Sequence, residues 1–183
     1  DRNFEKGYTL IRNQTLGQSG ILIPMILLGS AGIFAINITY LRGRYEAKGD
    51  QWNMESGNQF KPARENLIQK TGTMARALTA FIERQGTKLP VPVEPVLIAA
   101  EPGLHIDTDS PAVRVLMSDG IRTFAAGLKS SAQTLRADIA LELVERITSP
   151  RPARVKPASA PTSSPAITPR PSQPPPPQPK PAV

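Results

Sequence analysis

The most apolar stretch of the chain, ILIPMILLGSAGIFAINITYL (residues 21–41), has no charged residue and carries two patterns at once. Its 21 residues are enough for a helix to cross a bilayer, and Arg42-Gly43-Arg44 behind it would suit a positive-inside flank. From Ile33 onward, however, the residues alternate. Phe34, Ile36, Ile38 and Tyr40 fall on one face, and Ala35, Asn37 and Thr39 on the other. A period of two belongs to a strand, the segment is rich in β-branched residues, and Gly29 and Gly32 bracket a tight turn. The pattern predicts a core β-hairpin over 21–41, with a membrane-spanning helix as the competing expectation.

Downstream, apolar positions Leu67, Thr71, Met74, Leu78, Phe81 and Ile82 recur at spacings of three and four. They predict a helix over 63–85, entered at Pro62, stopped at Gly86 and slightly weakened by Gly72. Phe34, Ile36, Ile38 and Tyr40 are expected to pack under this helix, which leaves Asn37 and Thr39 on an open face. VEPVLIAA (93–100) and AVRVLM (112–117) read as strands. A short helix follows, with Ser118 or Asp119 as its cap, and then an amphipathic helix over 134–147 with Ile139, Leu143, Val144 and Ile147 on one side. Strands, long helix, two strands and two helices make an α/β order rather than a bundle or an all-β domain.

Composition changes the picture at the C-terminus. The net charge of +7 divides unevenly: residues 151–183 hold five basic residues and no acid, so the first 150 hold 17 Lys+Arg against 15 Asp+Glu, a net of +2. A nearly neutral body does not supply the basic stripe of a polyanion-binding surface. The tail has twelve prolines in 33 residues, too few large apolar groups to offset its ordering entropy, and a polyproline II stretch at Pro174–Pro177. A domain over 1–148 and a disordered Pro-rich tail over 149–183 are expected. The tail would provide any weak nucleic-acid binding and a docking strip for a protein partner. The chain has no cysteine and opens at Asp1 without a signal-peptide pattern. The expectation is a cytoplasmic protein, processed or cut from something longer.

LLGSAGIFAINITYLRGRYEAKGDQW resembles the central hairpin of the nuclease-related domain (NERD) family, I-D-H-x-x-V-G-P-x-G-V-F-V-I-E-x-K followed by W-x-G. FKPARENL resembles that family's N-P-x-x-Q helix start, and VEPVLIAAEPGLHIDTDSPAVRVLMSDGIRTFAAGL resembles its P-V-L-V-x-x-x-P strand with the strand and helix after it. The likeness covers roughly residues 8–128. It implies a restriction-endonuclease-like fold, a mixed sheet flanked by helices, whose helix before the first strand would lie upstream, with only NFEKGYTLI of that region present. It also implies a carboxylate on the first hairpin strand and Glu-x-Lys on the second, which hold Mg²⁺ and position the attacking water. Aligned on the shared G-x-x-G, those three positions fall on Pro24, Asn37 and Thr39, and the helix glutamine on Glu65. None can do the family's chemistry. The expectation is a non-catalytic nuclease-related domain, a binding or scaffolding module with no catalytic residue, metal or cofactor.

Other residues offer rival chemistry. Glu46-Ala47-Lys48 is itself Glu-x-Lys, and a divergent metal-dependent nuclease would use Glu46 and Lys48 with Glu65 or an upstream acid. No acid lies between Glu5 and Glu46 to serve as partner, so coincidence on a solvated strand end is the expectation. His105, Asp107 and Asp109 alternate in HIDTD and offer three ligand-type side chains. A polar loop after EPG is the plainer expectation there. Trp52 is expected to pack rather than to stack bases. No Gly-rich phosphate loop, Ser/His/Asp set or HExxH is present.

Overall fold

The computed structural model describes residues 7–149. They belong to the first of two units, Asp1–Ala153 and Arg154–Val183. The tail expectations, from disorder to docking, concern residues outside those described, as does Glu5.

Six strands come first: β1 (Tyr8–Leu16), β2 (Ile21–Gly29), β3 (Gly32–Thr39), β4 (Gly43–Lys48), β5 (Gln51–Ser56) and β6 (Gln59–Pro62). Helix α1 (Leu67–Arg84) follows, then β7 (Val93–Ala99), β8 (Leu104–Asp109) and β9 (Arg114–Met117), and finally α2 (Ile121–Ser130) and α3 (Ala137–Thr148). The strands form two mixed sheets, β1-β2-β3-β7-β9 and β6-β5-β4-β8. Within them β1–β2–β3 and β4–β5–β6 pair antiparallel, whereas β3–β7, β7–β9 and β4–β8 pair parallel. The two sheets share a corner. Strand β3 runs on towards β4 beside β7 running on towards β8, and Ala100 N donates to Thr39 O (3.0 Å) and Gly43 N to Gly103 O (3.1 Å) across the bend.

Residues 21–39 are therefore two strands joined by a two-residue turn at the Gly29–Gly32 pair, as the alternation predicts, and Tyr40 and Leu41 lie beyond them. No helix among the described residues is long and apolar enough to cross a membrane. Gly29 has a packing role: a Cβ there would overlap the Tyr8 ring, whose hydroxyl donates to Leu128 O at 2.8 Å. Gly29→Ala should displace that ring and its hydrogen bond to α2. The expected cost is about 1–3 kcal/mol, seen as a lower denaturant midpoint at unchanged slope.

The sheet is covered on both faces, and the face assignment predicted above is reversed. Ile33 and Ala35 lie under α1 and α3, in a core with Ile23, Ile26, Leu28, Met74, Leu78 and Leu143. Phe34 and Ile36 lie instead under α2, with Leu27, Val96 and Leu128, and Phe34 meets Phe124 edge-to-face at 5.7 Å. Tyr40 lies beyond the end of β3 and is 71% exposed. On the α1 side, small Ala35 shares a core with Ala75 and Asn37 hydrogen-bonds Thr71, whereas bulky Phe34 and Ile36 lie with Leu128 of the short α2. A separate core joins Tyr45, Ala47, Trp52, Leu104 and Ile106 of the second sheet to Leu67 and Ile68 of α1.

Element ends also shift. Pro62 closes β6, and α1 starts at Leu67 with Asn66 as its cap, the side chain accepting from Gln69 N at 3.0 Å. Gly120, not Ser118 or Asp119, precedes α2, without a side-chain cap. HIDTD is not a loop but most of β8. Of NFEKGYTLI, the part of the family's upstream-helix region that the likeness places in this chain, Tyr8–Ile11 belong to β1.

Candidate functional site

Pro24 stands in β2 between two neighbouring strands, a place that needs an interruption of the ladder. Both ladders supply one. Pairing of β2 with β3 runs from Gly29↔Gly32 to Met25↔Ile36 and stops one residue short of Pro24. Pairing of β1 with β2 skips from Arg12↔Met25 to Gln14↔Ile23. Asn13, left opposite a residue without an N–H, takes a φ of 50°, which asparagine tolerates better than most residues. The side-chain phase flips at the same place. Leu27 and Met25 face α2, whereas Ile23 packs with Ile26 and Leu28 under α1.

Beyond this point β2 and β3 no longer pair, and a cleft of about 560 Å³ opens between them. Strand β2 contributes Ile21, Leu22 and Pro24 to it, and β3 contributes Asn37 and Ile38. Helix α1 closes it with Lys70, Thr73 and Met74. Asn37 is only 4% exposed, and its Nδ2 donates to Thr71 Oγ1 at 3.0 Å. The Thr71 hydroxyl spends its one proton on Leu67 O at 2.7 Å, so towards Asn37 it can only accept. That fixes the amide: nitrogen to the helix, and Oδ1 with no donor among the described residues.

Two of the three motif positions thus meet in the cleft. Thr39 does not join them; it is buried at the corner between the sheets, where its hydroxyl accepts from Leu41 N at 3.3 Å. Lys70 is the one ionisable side chain lining the cleft, and it pairs with Glu65 at 2.6 Å. Both side chains of that pair are exposed.

The rival residues sit elsewhere, on the second sheet. Glu46 accepts from Asn53 Nδ2 at 2.9 Å. Lys48 pairs with Asp109 at 3.0 Å, and the hydrogen bond and charge of that carboxylate hold the ammonium above the ordinary lysine value. A lysine held protonated is no base for activating water. His105 lies 3.3 Å from Asp107, and Asp107 also pairs with Arg44 at 3.1 Å. Those carboxylates are spent on cations, and among the described residues no three His, Cys, Asp or Glu side chains gather to hold a metal. Trp52 is 2% exposed and stacked on Tyr45 at 5.0 Å, inside the core and out of reach of any base.

The sequence left one clue to the cleft, a proline inside an apolar strand. Nothing in it pointed to Thr71, Thr73 or Lys70 as neighbours of Asn37. Comparison of the chain with family models, with curated proteins and with solved structures finds no match.

Proposed function

We propose that the chain is a non-catalytic nuclease-related domain of restriction-endonuclease-like fold, acting as a binding or scaffolding module in the cytoplasm. One observation carries the proposal. The cleft at the opening of the hairpin, faced by the long helix, holds a proline and an amide where the family resemblance requires carboxylates. Neither group can hold Mg²⁺ for an attacking water. The element order, with the β2–β3 hairpin ahead of the long helix and of β7 and β9, which pair parallel in the same sheet, supports the fold assignment.

A divergent nuclease built on Glu46 and Lys48 is the weaker reading. Those side chains are engaged by Asn53 and Asp109, away from the cleft. A membrane anchor over 21–41 has lost its helix to β2 and β3. The proposal is tested by incubating the protein with DNA or RNA and Mg²⁺ or Mn²⁺; no cleavage is expected.

Nucleic-acid binding, where it occurs, should be weak and owed mostly to the tail, because the first 150 residues carry 17 cations against 15 anions. Deleting residues 151–183 should remove most salt-dependent affinity for DNA and flatten the slope of log K against log salt. An unchanged slope would locate a basic patch on the body instead.

A further inference from the structure

The cleft between β2, β3 and α1 holds a combination that its failed nuclease chemistry does not use. Asn37 Oδ1 is an acceptor on a side chain 4% exposed, without a donor among the described residues. Its direction is fixed through Thr71, so the amide cannot turn to relieve it. The oxygen is therefore an acceptor presented to the cleft, open to water or to a ligand. Around it the walls are apolar, with Ile21, Pro24, Ile38 and Met74. At the rim stands Lys70, whose ion pair with Glu65 is solvent-exposed and therefore weak enough to exchange for another anion. A volume of about 560 Å³, apolar walls and a few placed polar groups are the properties of a small-molecule site.

We infer that this cleft binds a small planar aromatic or heteroaromatic acid, an inference that rests on the cleft being non-catalytic. A ring N–H or O–H donates to Asn37 Oδ1. The ring lies against Pro24 and Met74, the thioether adding a sulfur–aromatic contact. The carboxylate meets Lys70 in place of Glu65. A neutral hydrocarbon would leave Asn37 and Lys70 unused, an organic cation is opposed by Lys70, and a metal ion finds no carboxylate among the lining residues.

The test uses the full ¹⁵N-labelled chain and three probes: indole-3-acetate, its 1-methyl derivative and its methyl ester. Indole-3-acetate should give saturable shifts at the amides of Asn37, Ile38 and Thr73. Methylating the ring nitrogen should weaken binding about tenfold, the loss of one hydrogen bond to the Asn37 side chain. That difference should vanish in Asn37→Leu. Esterification should cause a smaller, salt-dependent loss, which Lys70→Gln reproduces. Thr73→Trp, a change at an exposed rim position, should block all three probes without disturbing the core. Absence of saturable shifts, or shifts indifferent to N-methylation and to Thr73→Trp, would overturn the inference and leave water as the partner of Asn37. The non-catalytic reading would survive either outcome, because it falls only to metal-dependent cleavage.

Discussion

Ile36→Asp is expected to unfold the domain. Ile36 is buried in the core beneath α2, flanked across the ladders by Met25 and Val96. The substitution removes a large apolar group and leaves a carboxylate among buried apolar side chains. The combined cost is several kcal/mol, a large part of the ~5–15 kcal/mol that holds a typical domain together. The neighbouring Asn37→Asp should be milder but not neutral. Because Asn37 faces α1 rather than an open surface, a carboxylate there must turn the Thr71 proton away from Leu67 O. A loss of about 1–3 kcal/mol is expected, with the fold retained. Denaturant unfolding of both variants checks the pair. A spanning helix would make the two changes equally costly, each about 2.5–3.5 kcal/mol on insertion scales, since adjacent positions sit at similar depth. Equal effects, or a stable Ile36→Asp protein, would therefore contradict the two-faced sheet.

Trp52→Ala should be nearly as damaging, at about 3–5 kcal/mol. The indole is stacked on Tyr45 at an interplanar angle of 20° and joins the second sheet to the start of α1 through Leu67 and Ile68. Its Nε1 has no hydrogen-bond partner among the described residues, so Trp52→Phe loses volume but no polar contact and should recover most of the stability. Circular dichroism is the right probe, because Trp52 is the only tryptophan and fluorescence is lost with it. If Trp52 were a stacking platform for single-stranded bases, alanine would instead leave stability untouched and weaken binding by about 1–3 kcal/mol per base.

The hairpin was legible because Phe34-Ala35-Ile36-Asn37-Ile38 alternates in side-chain size, and α3 because Leu143 and Ile147 repeat on one side of it. Which face of β3 meets which helix was not legible. Both faces are buried, so the pattern gives a period without a direction; Ala35 shares a core with Ala75 of α1, and Asn37 hydrogen-bonds Thr71 of the same helix. Strand β1 was hidden because the Asn13 irregularity breaks its alternation: Ile11 and Leu16, of opposite parity, share one core. The start of α1 was written in Asn66-x-x-Gln69, but Pro62 gave a competing start signal that belongs to the end of β6. The cleft depends on where the ladder between β2 and β3 stops, a long-range fact of which Pro24 is the only local trace.

Purified protein incubated with linear duplex DNA, single-stranded DNA and RNA in Mg²⁺ or Mn²⁺ gives the most direct test of the proposed non-catalytic nuclease-related domain. With Pro24 and Asn37 in the cleft and Thr39 buried at the corner between the sheets, no metal-dependent product is expected above a chelator control, and Glu46→Ala and Lys48→Ala should change nothing. Metal-dependent cleavage that disappears in Glu46→Ala would contradict this and make the second sheet the catalytic one.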